Sequence, residues 1–233
     1  MLDSKLFLNF APKATNDLYS VMIHIKRFTF NPFSENTYLL YDETMEAIIV
    51  DPGNYSREEN EELTSFIDEK KIKPVRIVNT HAHIDHVLGV FYLKNKYNVP
   101  FVLHSKDEPV LAAVKSYAPN YGFPAFNEPE VEQWISEGDT VTFGASSLRV
   151  LFVPGHAPGH IALVNDDQKF VIGGDVLFRS SIGRTDLPGG SFETLMTSIR
   201  TQLFVLPDEY EVHPGHGETT TIGFEKKYNP FLR

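Results

Sequence analysis

The sequence predicts an α/β protein whose strands and helices recur in two similar blocks, about residues 22–115 and 130–220. Three observations predict it. Short runs rich in β-branched and aromatic residues alternate with amphipathic helical segments in both blocks. Polar residues with capping spacing precede the apolar stripes of the helices. Histidine-bearing loops follow predicted strands in each block, at Thr80–His86, Pro154–His156 and Pro214–His216.

In chain order, Ile23–Phe30, Thr37–Tyr41 and Ala47–Val50 read as strands, with Asp42-Glu43-Thr44 turning the chain between the last two. Ser56–Ile72 reads as a helix: Ser56 and Glu59 have capping-box spacing, and Leu63, Phe66 and Ile67 form one apolar stripe. Val75–Val78 is a buried strand, followed by a loop and a helix starting near Asp85. Phe101–Leu103 is a further strand, and Ser105 with Glu108 is expected to cap the next helix. Residues 117–130 break the pattern with Pro119, Gly122, Pro124 and Pro129 among Tyr117, Tyr121, Phe123 and Phe126. Such a segment either packs its own aromatics or covers a site. Strands resume at Thr140–Phe143, Leu148–Val153, Ile161–Val164 and Phe170–Ile172. A helix at Ser191–Phe204 and a short strand at Glu211–His213 close the second block.

A length of 233 residues suits one domain or two tightly joined halves. The core such a chain can bury makes a structural metal or disulfide unnecessary for folding. No cysteine is present, which excludes disulfides, thiolate-ligated zinc and a cysteine nucleophile, and fits a cytoplasmic protein. A net charge of -10 without a basic run speaks against a nucleic-acid partner. No apolar stretch is long enough to span a membrane. Leu6–Phe10 is apolar, but Asp3 precedes it and no cleavage site follows, so a secretory signal is not expected. Regular patterning starts near Met22; residues 1–21 are read as a disordered extension and 22–233 as the folded domain.

Five of the nine histidines fall in the three loops, and Asp175 ends another strand in Gly173-Gly174-Asp175. His81 and His83 are two apart, so in an extended loop both imidazoles point the same way. Asp85 and His86 sit where the chain turns into a helix and can aim at a neighbouring point. Histidines with carboxylates are ligands for zinc, iron or manganese. Two such sites about 3.5–4 Å apart can share a hydroxide and hold both ends of a reacting group. A lone histidine would more often be an ordinary surface or packing residue; seven ligand-type residues at strand ends are a different matter.

The run His81-Ala82-His83-Ile84-Asp85-His86, with His156, Asp175 and His216, resembles the metal signature of the metallo-β-lactamase superfamily. Asp51-Pro52-Gly53 resembles the motif whose aspartate braces the metal loop. The resemblance runs from about residue 22 to the C-terminus. It implies an αββα sandwich of two mixed sheets flanked by helices, with two divalent metal ions at one edge, zinc first and iron or manganese as alternatives. It assigns His81, His83 and His156 to one ion, Asp85, His86 and His216 to the other, and Asp175 to both. Within the family the chain is most similar to glyoxalase II and persulfide dioxygenases. Phe178–Asp186 resembles their substrate loop, where Arg184 would bind substrate; a salt bridge to Asp186 is the plainer use of that arginine. The tail Thr219–Lys226 with Asn229-Pro230-Phe231 is similar to small bacterial glyoxalase II-like hydrolases. The longer enzymes add a helical domain with glutathione contacts, which is not expected in this chain.

The resemblance thus implies hydrolysis of a hydroxyacyl thioester such as S-lactoylglutathione, a small molecule, with Asp85 and Asp175 in catalytic roles; neither a nucleic acid nor a membrane is expected as a partner. The rivals are a persulfide dioxygenase with one iron on His81, His156 and Asp175, a lactonase or other esterase, and a non-enzymatic metal-binding module. His24 and His104 are read as ordinary residues and His160 as a packing or ligand-orienting residue. His213 is expected behind the ligands. Asn36 and Tyr38 resemble a segment near the site, though a hairpin would explain them.

Overall fold

Side-chain alternation in the strands sets the layers. In Glu46–Val50, Ile48 and Val50 face one apolar cluster while Ala47 and Ile49 face another. A strand buried on both faces must lie between two layers, and the computed structural model, which describes residues 21–232, has that form. The expected extension, residues 1–21, lies outside the described residues except for Val21.

The first sheet runs β1 (His24–Phe30), β2 (Glu35–Tyr41), β3 (Glu46–Val50), β4 (Lys73–Val78), β5 (Phe101–His104) and β6 (Gln133–Ile135), in that order. Its first three strands are antiparallel and the rest join in parallel. The second sheet begins at its edge with β7 (Thr140–Phe143) and continues through β8 (Ser146–Phe152), β9 (Ile161–Asn165) and β10 (Phe170–Gly174). Between β10 and the last pair, β11 (Leu177–Phe178) and β12 (Ser181–Ile182) form a small separate ribbon. The sheet ends with β13 (Glu211–Pro214), parallel to β10, and β14 (Thr220–Thr221).

The two sheets meet through Tyr38, Leu40, Ile48 and Val78 on one side and Val150, Leu163 and Ile172 on the other. Helices cover the outer faces. Over the first sheet lie α1 (Arg57–Lys70), α2 (Ile84–Val87), α3 (Val90–Tyr97) and α4 (Glu108–Tyr117), packing Leu63, Ile67, Leu93 and Leu111 on Leu39, Ile49 and Phe101. Over the second, α5 (Phe192–Ser198) brings Leu195 onto Val164, Val171 and Val212, while α6 (Ile222–Tyr228) adds Ile222. The α1 start is as expected: Ser56 accepts from Glu59 N and the Glu59 carboxylate accepts from Ser56 N. No helix among the described residues is long and apolar enough to cross a membrane.

Several expectations need correction. The first block extends to β6, so the break between blocks falls near residue 136 and not 130. The Ser105 side chain does not cap α4. Residues Ser105–Asp107 make a 3-10 turn, and Pro109 in the first turn of α4 removes one amide that a cap would otherwise serve. The helix expected at Ser191–Phe204 starts with Ser191 as its cap but passes into a π turn at Ile199–Leu203. Residues 117–130 divide their aromatics: Phe123 and Phe126 are buried under the first sheet, while Tyr117 and Tyr121 face a cavity. β6, β11, β12, β14 and α6 were not foreseen; most are too short to show a period.

Candidate metal centre

The three histidine loops and the Asp175 loop leave the ends of β4, β8, β10 and β13 and converge at one edge of the sandwich. Each is fastened by groups just behind it. Asp51, held at φ 49, accepts from Thr80 N and Thr80 Oγ1, both at 2.6 Å. Its Oδ2 also lies 3.2 Å from His86 Nδ1. Asn79 Nδ2 donates to the carbonyls of His81 and His86, closing the loop on itself. Asn36 Nδ2 donates to the carbonyls of Pro214 and Gly217, and Tyr38 Oη to that of Pro214 at 2.7 Å. These two residues therefore pin the His216 loop, a larger role than a hairpin.

Hydrogen bonds on one ring nitrogen decide what the other offers. Thr80 gives its only proton to Asp51, so at 3.1 Å His81 Nδ1 must donate to Thr80 Oγ1. His156 Nδ1 donates to the Arg184 carbonyl at 2.8 Å, and His216 Nδ1 to that of Phe33 at 3.1 Å. His81 and His156 are each left with a lone pair on Nε2, while His216 turns its Nε2 to the Asp85 and Asp175 carboxylates. His83 presents Nδ1, 2.8 Å from His156 Nε2. The ligand atoms of His81, His83 and His156 lie within 4.8 Å of one another, as do those of Asp85, His86 and His216. Asp175 stands between the groups: its Oδ2 is 3.6 Å from His156 Nε2 and 3.4 Å from His216 Nε2, and its Oδ1 is 3.5 Å from His86 Nε2.

This donor set fits metal ions. His81 Nε2, His86 Nε2 and Asp175 Oδ1 are buried without a hydrogen-bond partner, which is costly unless a cation takes them up. Gly215 keeps the space open, since a methyl there would run into Asp175 Oδ1 and the His86 ring.

Electrostatics divide the cluster. Burial and the neighbouring histidines hold His81 well below its ordinary value and His83 at about 3. Burial also lowers His156. These three are neutral donors at neutral pH. Burial opposes charge on His86 as well, but Asp175 and Asp85 outweigh it and raise its pKa far above 6.5. For His216, hydrogen bonds to Asp175 and Asp85 overcome burial and lift the value to about 10. Burial opposes ionisation of both carboxylates, yet His86 and His216 hold them below the usual range, Asp175 far below. Without metal, the second triad is an ion-paired cluster whose protons a cation must displace.

The cluster forms the floor of a cavity of about 960 Å³. Its walls are mostly apolar and aromatic, including Phe33, Tyr117, Tyr121, Phe178 and Leu187. Arg184 lines it too, but its guanidinium makes a bidentate pair with Asp186, both bonds at 2.7 Å. Lys106 is the other cation on the wall.

Sequence reasoning did not find Asp107. Its buried carboxylate accepts from Ala82 N at 2.8 Å and Gly159 N at 2.5 Å, tying the His83 loop to the His156 loop. Burial pushes its pKa up to about 6 in spite of these donors. His160 accepts from Asp175 N through Nε2 and stacks on His81 at 4.7 Å, so it both packs and holds these two residues of the cluster in place. His213 does not stand behind the ligands; it packs between Tyr38 and Phe170. His24 is exposed beside Glu43, and His104 stacks on Phe152.

The family model of the metallo-beta-lactamase superfamily matches residues 30–216. Hydroxyacylglutathione hydrolase GloC of Haemophilus influenzae is 37% identical over 86% of this chain and 93% of its own length. Among solved structures, BLEG-1, described as a B3 metallo-beta-lactamase, superposes with a TM-score of 0.82 at 34% identity, covering 90% of this chain and 99% of that one. TTHA1623, solved in a di-iron-bound form, superposes at 0.80 with 37% identity over 89% of this chain and all of its own, 100%.

Proposed function

The chain belongs to the metallo-β-lactamase superfamily, as a metallo-hydrolase of that fold, and from this premise we propose that it hydrolyses hydroxyacyl thioesters, with S-lactoylglutathione as the representative substrate. The observation that carries the proposal is the position of Asp175 between two triads of ligands on the floor of one substrate-sized cavity. The similarity to a hydroxyacylglutathione hydrolase supports the choice of substrate.

In this reading His81, His83 and His156 hold one divalent ion, Asp85, His86 and His216 the other, and Asp175 both. Zinc is the first choice; iron is the alternative, since a solved relative has a di-iron form. When bound, the ions supply an activated water and a Lewis acid for the carbonyl oxygen. The protein's part is preorganisation. Thr80, Arg184 and Phe33 fix the rings of His81, His156 and His216, so their lone pairs need no search for direction. Asp85 and Asp175, held as carboxylates beside His86 and His216, would balance the charge of the ions and accept hydrogen bonds from the water they activate. The apolar walls keep bulk water from the reacting carbonyl. Since a thiol has a pKa of about 8.5, a thiolate leaves without a strong general acid. A single iron on His81, His156 and Asp175 would leave the metal-binding geometry of Asp85, His86 and His216 without an ion.

The test pairs metal analysis with turnover. Zinc-reconstituted protein should carry about two ions, because seven ligands are too many for one tetrahedral site. It should hydrolyse S-lactoylglutathione, and Asp175→Ala should lose nearly all activity and weaken both ions together. One iron per chain, no hydrolysis and oxygen uptake with glutathione persulfide would establish the dioxygenase instead. Turnover of lactones or oxygen esters alone would establish the esterase.

A further inference from the structure

The cavity over the metal centre has two cations on its wall, Arg184 and Lys106, and they differ in what they already hold. Arg184 has the paired donors that suit a carboxylate, but Asp186 occupies them from two residues away. Lys106 has no carboxylate within ion-pair distance among the described residues. Its Nζ instead lies 4.7 Å from the centroid of the Phe152 ring. That ring is stacked in turn on His104, at 4.7 Å and 15°.

The backbone under Lys106 is fixed. Lys106 N donates to His104 Nδ1, and the next residue is Asp107, whose carboxylate holds both Ala82 N and Gly159 N. Those amides belong to the two loops that carry His83 and His156. The base of the lysine is therefore tied to the floor of the cavity, while its ammonium rests over the Phe152 ring with no carboxylate partner among the described residues. An ammonium is a point charge with three rotatable donors, suited to a carboxylate that approaches from solvent without fixed orientation. The rest of the nearby wall, Pro109, Val110 and Ala113 on α4, is apolar and offers that carboxylate nothing.

We propose that Lys106 is the specificity-determining cation of this cavity and binds a carboxylate on the thiol-carrier half of the substrate, as glutathione conjugates provide. The inference rests on the thioesterase reading and names the residue through which an anionic carrier is preferred. Arg184 serves the site differently, by its carbonyl on His156 and its pair with Asp186.

The test uses the metal-loaded protein and S-methylglutathione, a thioether that cannot be hydrolysed, in titration calorimetry. Lys106→Met should weaken binding about fivefold, the scale of one solvent-exposed charge contact. Lys106→Arg should restore most of it, and Arg184→Ala should change it less. The dialkyl ester of the same thioether should bind Lys106→Met and the unaltered protein alike. With S-lactoylglutathione, KM should rise in Lys106→Met while kcat and metal content stay the same. Equal losses with the acid and the ester would make Lys106 structural and overturn the inference. So would a loss carried by Arg184→Ala alone, or no binding of the thioether by the unaltered protein. A thioether that binds through Lys106 to a protein that cleaves no thioester would overturn the thioesterase reading and leave the lysine in place.

Discussion

His83 and His216 are ligand-type residues of one cluster with opposite proton demands, about 3 for the first and about 10 for the second. Burial first and the neighbouring histidines second hold His83 down, whereas hydrogen bonds to Asp175 and Asp85 overcome burial at His216. A pKa raised on folding stabilises the folded chain fully below the unfolded value, here 6.5, and that stabilisation is lost as pH climbs through the folded value. Metal-free protein should therefore lose stability between pH 6.5 and about 10, by roughly 3–6 °C in Tm. Zinc-loaded protein has no proton there to lose and should show little slope. Calorimetric scans across this range would check it, and a His216→Ala chain with the same slope as its parent would refute it. At this scale the residues that gather in the cluster were legible, because a His-x-His-x-Asp-His run with further histidines and an aspartate at strand ends is a specific pattern. It said nothing of Lys106 or Asp107. Lysines are common on surfaces, and the partners of Asp107, Ala82 and Gly159, are chosen by the fold and leave no spacing to read.

Among the elements, long strands with β-branched runs and a helix with a capping box were legible, since their patterns repeat over several residues. The 3-10 turn Ser105–Asp107 was not: three residues make no period, and Ser105 beside Glu108 imitates a cap. Yet this turn joins β5 to α4 while its last residue clasps two loops from different sheets. Asp107→Ala leaves two buried amides without acceptors, at about 1–3 kcal/mol each. The variant should melt several degrees lower, retain metal less well and lose activity through looser histidine loops. Scanning calorimetry with metal analysis measures all but the last. An unchanged Tm with full metal content would show that water replaces the carboxylate and that the clasp is dispensable. The tail helix α6 shows the same limit: Glu225 accepts from Ser180 N and Thr220 Oγ1, bracing the loop after Asp175, and a single buried glutamate gives no signal in advance.

The layered architecture was legible as two αβ blocks, but their border was misplaced because β6, three residues long, crosses back to the first sheet. Ties between the sheets, such as Asp42 accepting from Ala145 N and Ser146 Oγ, depend on docking that no local pattern encodes. Each triad takes two ligands from the first block and its last from the second: His156 completes one and His216 the other. This division has a kinetic consequence. A half-formed molecule owns only fragments of either site, so the ions gain their full grip after the two sheets have docked, beyond the folding barrier. Interactions absent from the transition state slow unfolding and leave folding alone. Stopped-flow mixing with and without zinc should show unfolding slowed by about tenfold or more, in line with binding to the native state alone, and refolding unchanged within about twofold. The reverse pattern would mean that His81, His83, Asp85 and His86 nucleate the fold around a metal by themselves. If it does not appear, the ions act as a brake on leaving the native state and not as a guide into it.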